Sequence, residues 1–475
     1  MKDNIVIYWF RQDLRLSDNP ALCAASKAGR VLPLYILDDY NSESYKMGQA
    51  SRVWLHKSLK LLDDSLDNYL SIYNADPIAV LKRLCSEYNV TDIYWNRCYE
   101  PWRVKRDKNI KENLQENNIN VHSYNGSLLW EPWNVVKDNG DPYKVFTPFY
   151  RKGCLGAKPP REPILKPDAG VYFKDPKHSI GLEDLNLLPN NNWHQLMIDH
   201  CKVGESAAQQ KLDDFIEVGL SNYKDGRNFP ACPFVSRLSA NIHFGEISPN
   251  QLWYTIKDLY DDANSDHFCS ELGWREFSYS QLYFNQDLPF KNLQQKFDNF
   301  PWKDDEVSLK AWQEGKTGIP MVDAGMRELY QTGFMHNRVR MVVGSFLVKN
   351  LCLDWRYGER WFWDCLVDAD LASNSASWQW VAGCGADASP YFRIFNPVTQ
   401  GQKFDSDGEY VRKYVPEIAK LPNKFLFSPW EAPLLILKES GIVLGDTYPK
   451  PIVDLKKSRE YALAAFASLK KEQND

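Results

Sequence analysis

Up to residue 130 the chain alternates short apolar runs with segments of helical period, the pattern of strands joined by helices. Strands are expected at Ile5–Phe10, Val31–Leu37, Leu70–Tyr73, Thr91–Asn96 and Asn120–Tyr124. Helices are expected at Pro20–Ala28, Ala50–Asn68, Pro77–Tyr88 and Pro101–Glu116; within the second, Leu55, Leu59, Leu62 and Leu66 form one apolar stripe. The pattern breaks from 131 to 201, where Pro159-Pro160, Pro163, Pro167, Pro176, Pro189 and Asn190-Asn191-Asn192 read as a long inter-domain linker. From 202 to 475 the period is helical, with Ser248-Pro249 marking one helix start and Leu252–Leu259 following in register. The expected architecture is an α/β N-terminal domain, a five-stranded parallel sheet with flanking helices, over 1–130, then the linker and an all-α C-terminal domain.

A length of 475 residues agrees with two domains. The net charge of −5 gives no global basic footprint, although nucleic-acid binding depends on the local field rather than the sum. Ten Cys without a C-x-x-C pair fit neither a disulfide scaffold nor a zinc site, so a reduced, cytoplasmic setting is expected. The opening apolar run is too short for a signal sequence, and no stretch is long enough to span a bilayer. Aromatics reach 14% with 17 Trp, which is informative only where those rings flank a cofactor.

Phosphate-binding motifs of the common kinds are absent. Gly315-Lys316-Thr317 ends like a P-loop, but Lys310 stands where the first Gly belongs, and Arg11-Gln12-Asp13-Leu14-Arg15 follows the first strand in place of G-x-G-x-x-G. Ser236-Arg237-Leu238-Ser239 sets two hydroxyls and a cation at an expected helix start, a pattern that suits a pyrophosphate or ordinary capping.

Three further segments carry polar groups on one helix face. In Glu271–Phe277, Glu271, Trp274 and Arg275 share a face, as a pocket lining or as an ion pair beside a core indole. In Met335–Met341, Asn337 and Met341 stack with Arg340 beside them and Arg338 turned away, which suits a polar heterocycle or a solvated basic face. Asp368 and Asp370, followed by Asn374 and Trp378, lack the His or third carboxylate of a metal site, so no metal is expected.

Taken together, and in this order, these segments resemble the DNA photolyase/cryptochrome family. The resemblance runs from Trp9-Phe10-Arg11-Gln12-Asp13-Leu14-Arg15 to Pro451-Ile452-Val453-Asp454 and is densest from Trp312 to Pro397. It is nearest to bacterial class I cyclobutane pyrimidine dimer photolyases. It implies a light-driven carbon–carbon lyase acting in DNA repair, an N-terminal antenna domain, and a helical domain holding FAD in a folded conformation. By motif, Tyr223, Ser236, Arg237, Leu238 and Ser239 fall on the phosphate and adenine side of the flavin, and Arg275, Asn337, Arg340, Asp368, Asp370 and Asn374 on its other contacts. Asn374 matches the residue facing flavin N5 in photolyases, where many cryptochromes have Cys or Asp. Glu271, Trp274, Asn337, Met341 and Trp380 resemble the lesion pocket, and Trp378, Trp355 and Trp302 the electron-transfer chain. Arg227, Arg338, Arg393 and Lys403 match positions near bound DNA.

The resemblance implies that reduced FAD, excited by blue or near-ultraviolet light, lends an electron to a dimer flipped from the duplex, with a protonated Glu271 bonding a thymine carbonyl. The (6-4) enzymes carry a His pair where this chain has Asn337 and Met341, so cyclobutane dimers are the expected lesion. A blue-light photoreceptor of cryptochrome type is the alternative. The expected partner is damaged DNA, bound by a monomer away from any membrane. Val235 departs from a common hydroxyl residue and Phe334 from a common Trp. Trp102-Arg103 and Tyr45 depart from the folate-binding pattern, whereas Leu34-Tyr35-Ile36-Leu37-Asp38 is similar to deazaflavin binders, although Arg103 is bulkier than the Gly some of those carry; the antenna thus stands open between deazaflavin, methenyltetrahydrofolate and an empty site.

Overall fold

The computed structural model describes residues 4–167, 171–191 and 193–471; the sequence expectations touching 1–3, Asn192 and 472–475 lie outside these. Five strands, β1 (Ile5–Phe10), β2 (Arg30–Leu37), β3 (Ser71–Asn74), β4 (Asp92–Asn96) and β5 (Asn120–Tyr124), form one parallel sheet in the order β3-β2-β1-β4-β5. The flanking helices are α1 (Pro20–Ala28), α2 (Gln49–Ser65), α3 (Pro77–Tyr88) and α4 (Pro101–Gln115). Every expected element is present, with ends moved by three residues at most.

The central strand β1 and its neighbour β2 read as near-continuous apolar runs because both of their faces are covered, whereas the edge strand β5 is only part-buried. Val6, Tyr8 and Phe10 of β1 enter one core, whereas Ile7 and Trp9 enter the other. Asn19 caps α1 by accepting from the Leu22 amide at 3.1 Å, and Pro opens α1, α3 and α4. Asn89 ends α3 in the left-handed conformation at φ 53°.

Much of the expected linker is packed structure. Tyr172 bridges to Val31, the Ile180 amide donates to the Ile72 carbonyl at 2.9 Å, and buried Asp175 accepts from Tyr73 (2.8 Å) and Tyr88 (2.5 Å). These contacts occupy backbone groups along β2 and β3 that an open sheet edge would expose. Leu185, Leu187 and Met197 complete the core around α2.

By packing, the chain forms two compact units that interleave in sequence. The first comprises Met1–Glu217, Ser236–Gln286 and Val367–Ala372, and the second Val218–Val235, Asp287–Leu366 and Ser373–Asp475. Within the first, Trp54 stacks on Phe244 at 6.1 Å and donates to Glu246 Oε1 at 3.1 Å, while the Leu14 amide donates to the Phe244 carbonyl. Gly245 at φ +67° lies so close that a Cβ would meet the Gln12 carbonyl oxygen at 2.2 Å, so only glycine fits. In the second unit, helices Pro320–Thr332, Asn337–Ser345 and Trp355–Cys365 surround an aromatic core in which Trp378 meets Phe362 at 4.9 Å and Trp312 at 6.2 Å. All ten cysteines are free thiols. Among the described residues no helix is long and apolar enough to cross a membrane, and no cluster of potential metal ligands occurs.

Candidate active site

In the first unit the central element is the 22-residue helix Ala263–Phe284, opened by a capping box between Asp262 and Ser265. Its spacing places Glu271, Trp274 and Arg275 within two turns, as the sequence predicts. Arg275 donates to Glu276 Oε1 at 3.0 Å, and its guanidinium lies 4.8 Å above the Tyr279 ring. Its other N–H groups meet no acceptor among the described residues. The Tyr279 hydroxyl donates to Asp370 Oδ2 at 2.5 Å, and His243 Nδ1 stands 3.6 Å from the same oxygen, an ion-pair rather than hydrogen-bond distance. Burial alone would raise the Asp370 pKa, but His243, Arg275 and Tyr279 outweigh it and hold the carboxyl well below the usual range, so Asp370 is an anion. Glu276 goes the other way: burial pushes it up to about 7, with Arg275 offsetting part of the penalty.

Trp274 is half-buried, with one face stacked on Phe146 at 3.8 Å and its edge against Phe277. Glu271, one turn earlier, is half-buried with its carboxylate 3.7 Å from His267 Nε2. Asp368 is half-buried. Ser236-Arg237-Leu238-Ser239 forms a tight loop in which Ser236 Oγ accepts from the Leu238 amide and Arg237 adopts φ +53°. The helix it opens, Ser239–His243, has five residues, too few for the helix-terminus field that the sequence pattern invokes.

In the second unit Asn374 is buried on helix Leu371–Ala382. Its Nδ2 donates to the Glu359 carbonyl at 2.9 Å, and neighbouring Ser375 donates to Glu359 Oε1 at 2.9 Å. Burial raises Glu359 to about 7, with Ser375 opposing. Helix Asn337–Ser345 begins two residues later than the sequence suggests, because the His336 side chain caps it by accepting from the Arg338 amide. Asn337 is therefore its exposed first residue, with half-buried Met341 one turn on, and Arg340 donates to the Met335 carbonyl at 2.8 Å.

Trp378 and Trp355 are buried, and Trp302 is half-buried against Phe300 at 4.3 Å. Trp355 donates to Asn292 Oδ1 at 2.9 Å, and Gly358 leaves room for the Trp378 indole, which a Cβ there would meet at 2.1 Å. Trp380 is half-buried on the Asn374 helix. Arg227 lies over buried Tyr223 at 5.6 Å; Arg338 and Lys403 lie over Phe404 at 4.4 and 5.1 Å. Burial first, and then Arg227, lowers the Arg338 pKa, so these cations share one neighbourhood. Arg393 is exposed.

Residues 6–167 match the family model of DNA photolyase, and residues 268–468 that of the FAD binding domain of DNA photolyase. A deoxyribodipyrimidine photo-lyase of Agrobacterium fabrum is 48% identical over 99% of both chains. The chain belongs to the DNA photolyase/cryptochrome family. Cryptochrome-2 of Arabidopsis thaliana is 37% identical over 99% of this chain and 80% of that protein. A solved bacterial class III photolyase from Agrobacterium tumefaciens superposes with a TM-score of 0.93 at 47% identity, covering 99% and 98% of the two chains. An archaeal photolyase from Sulfolobus tokodaii with two FAD molecules gives 0.83 at 30% identity, covering 98% of this chain and all of that one. The class I likeness expected from the sequence is narrower than these relatives support.

The photolyase FAD-binding domain implies FAD, and the side chains present fit it. Arg275, half-buried, keeps unused donors, and Asn374, tethered through its nitrogen, keeps its carbonyl oxygen as an acceptor. The residues missed by sequence reasoning are the partners that fix these groups: His243, Glu276, Tyr279 and Glu359. Only Tyr279 had a signal, its i,i+4 spacing from Arg275.

Arg11 lies against the rings of Trp9 (5.1 Å) and Trp95 (5.5 Å), and Arg106 against those of Trp9 (4.9 Å) and Trp102 (5.2 Å). Trp9 and Trp95 stand near the ends of β1 and β4, and Arg11, Trp102 and Arg106 follow them, where the strand order reverses and α/β sheets bind ligands. Trp9 Nε1 and Glu100 Oε2 are buried there without a hydrogen bond.

Proposed function

We propose that this chain is a DNA photolyase that reverses cyclobutane pyrimidine dimers in light, using reduced FAD. The observation that carries the reading is the Asn374 amide. With its nitrogen committed to Glu359, it offers an acceptor to a protonated ring nitrogen of the cofactor, which favours the reduced form. Bound FAD supplies the photoexcited electron that opens the dimer's ring.

The protein's part is to bind, orient and exclude water. Asp370 stays anionic and holds Tyr279 and His243 in place, while Arg275 supplies a fixed cation with donors to spare. Trp274, backed by Phe146, presents an indole face on which a flipped base stacks. Asn337 and Met341 supply an amide and a thioether where (6-4) enzymes carry His, which supports the cyclobutane lesion. Trp378, Trp355 and Trp302 carry electrons that restore the reduced cofactor, and Arg227, Arg338, Arg393 and Lys403 meet the DNA backbone. The arginine–tryptophan cluster at the ends of β1 and β4 is the place for a second, light-gathering chromophore. The likeness to the Agrobacterium enzyme across the whole chain favours class III over class I. The likeness to Arabidopsis cryptochromes keeps a photoreceptor role as the second reading.

The test is repair of a thymine-dimer oligonucleotide by flavin-reduced protein under blue light, followed by thymine absorbance. Recovery in light and none in the dark is the expected result. No recovery with bound, reduced flavin would move the chain to (6-4) repair or signalling.

A further inference from the structure

Arg237 is held in a left-handed conformation, φ +53°, that side chains other than glycine rarely adopt. Such a conformation persists only where its surroundings over-determine it. Here the constraint falls on its carbonyl, which accepts from the Lys211 ammonium at 3.1 Å. Lys211 projects from helix Glu205–Asp214 and is itself fixed on two other sides. It donates to Asn241 Oδ1 at 2.8 Å and lies 5.3 Å from the centre of the Trp54 ring. Those two partners are tied together in turn: Asn241 Nδ2 donates to Glu246 Oε2 at 2.7 Å, and Trp54 Nε1 to Glu246 Oε1 at 3.1 Å. Asn241, Glu246 and Trp54 are all buried. A buried amide and indole, both tied to the buried Glu246 carboxylate, thus meet one ammonium, and that ammonium grips the carbonyl of the strained residue.

We propose that Lys211 is a positioning residue for the Ser236–Ser239 loop, holding it in the one backbone form that binds the flavin's phosphates. This inference rests on the FAD reading above, because only the family likeness assigns the loop to phosphate. Lys211 makes no claim on the cofactor itself. It acts by fixing Arg237, so that Ser236 and Leu238 on either side keep their orientation.

The same setting makes the grip sensitive to pH. Burial lowers Lys211 to about 8, with Glu246 and Cys201 opposing the shift and Arg237 and Lys202 adding to it. Burial keeps the Cys201 thiol up at about 11 and also raises Glu246, with the bonds from Asn241 and Trp54 opposing that shift. The Lys211 ammonium loses its proton near pH 8.

The experiment follows flavin release from diluted holoprotein by fluorescence between pH 6.5 and 9.5, for the wild type, Lys211→Met and Lys211→Arg. The wild type should hold FAD evenly up to about pH 7.5 and several-fold more weakly at pH 9. Lys211→Met, which keeps the aliphatic stem on Trp54 but removes the donor, should release FAD about tenfold more readily at pH 7, with no pH step. Lys211→Arg, charged throughout, should recover affinity and also lack the step. A pH-independent wild type, or a Lys211→Met protein that holds FAD as the wild type does, overturns the proposal. If Lys211→Met fails to fold, the wild-type and Lys211→Arg profiles decide alone. Wild-type protein that takes up no FAD at all would instead overturn the functional reading on which the proposal rests.

Discussion

The Asn374 side chain is tethered to the main chain of Glu359: its Nδ2 donates to that carbonyl at 2.9 Å, which settles which end of the amide remains available. Asn374→Leu removes the acceptor while keeping volume. One hydrogen bond to a protonated ring nitrogen contributes about 1–3 kcal/mol, so the two-electron flavin potential should fall by about 20–60 mV. Redox titration of the bound flavin measures this directly, and an unchanged potential would remove Asn374 from the role.

Glu359 has a pH signature of its own. Its folded pKa, raised by burial to about 7, exceeds that of an unfolded Glu, so the neutral acid is the form the fold favours. Stability contributed by this group is complete below about pH 4.3 and is lost as pH rises through about 7. Glu359→Gln keeps a neutral acceptor for Ser375 and should be more stable than the wild type at pH 8 by roughly 1–3 kcal/mol, with little difference at pH 4.5. Urea unfolding at the two pH values gives the comparison. Asp370, held low, should contribute no slope across the same range.

Trp274 is backed by Phe146 at 3.8 Å. Trp274→Ala should weaken binding of dimer-containing DNA by about 1–3 kcal/mol, the range for one base–aromatic stack, and leave binding of undamaged DNA nearly unchanged. Phe146→Ala should produce a smaller loss of the same selectivity, because it frees the indole without removing it. Fluorescence anisotropy with the two oligonucleotides separates these outcomes.

Arg227, Arg338 and Lys403 should behave in the opposite manner. Replacing any one with Ala should weaken damaged and undamaged DNA alike and lower the slope of log K against log salt by about one. A loss confined to damaged DNA would place that residue in lesion recognition instead.

Trp355 is fully buried and spends its N–H on Asn292. Trp355→Phe should slow light-driven reduction of the oxidised flavin by tenfold or more, while chemically reduced protein repairs at its usual rate. Transient absorption and the repair assay together test that division; a matching loss in both would point to damage of the fold.

The α/β layer was legible because its central strands are covered on both faces and three of its four helices carry their own start residues. Asn19-Pro20, Pro77 and Pro101 mark helix starts whatever lies around them. The linker misled because proline density signals irregular backbone but not whether that backbone packs. Asp175, 87 residues after Tyr88, shows nothing locally of its bond to that hydroxyl. The candidate site was half legible for the same reason. Glu271, Trp274 and Arg275 share one helix, whereas Asp370 finds His243 across 127 residues, a pairing without any periodic trace.

The core that holds α2 against β1 and β2 also contains Ala240, Phe244 and Val367. A ribosome working at about 5–20 residues per second delivers Val367 roughly 20–70 s after Phe10. For that interval the nascent sheet waits with one face incomplete, and no trimming of the gene to its first 130 codons can shorten the wait.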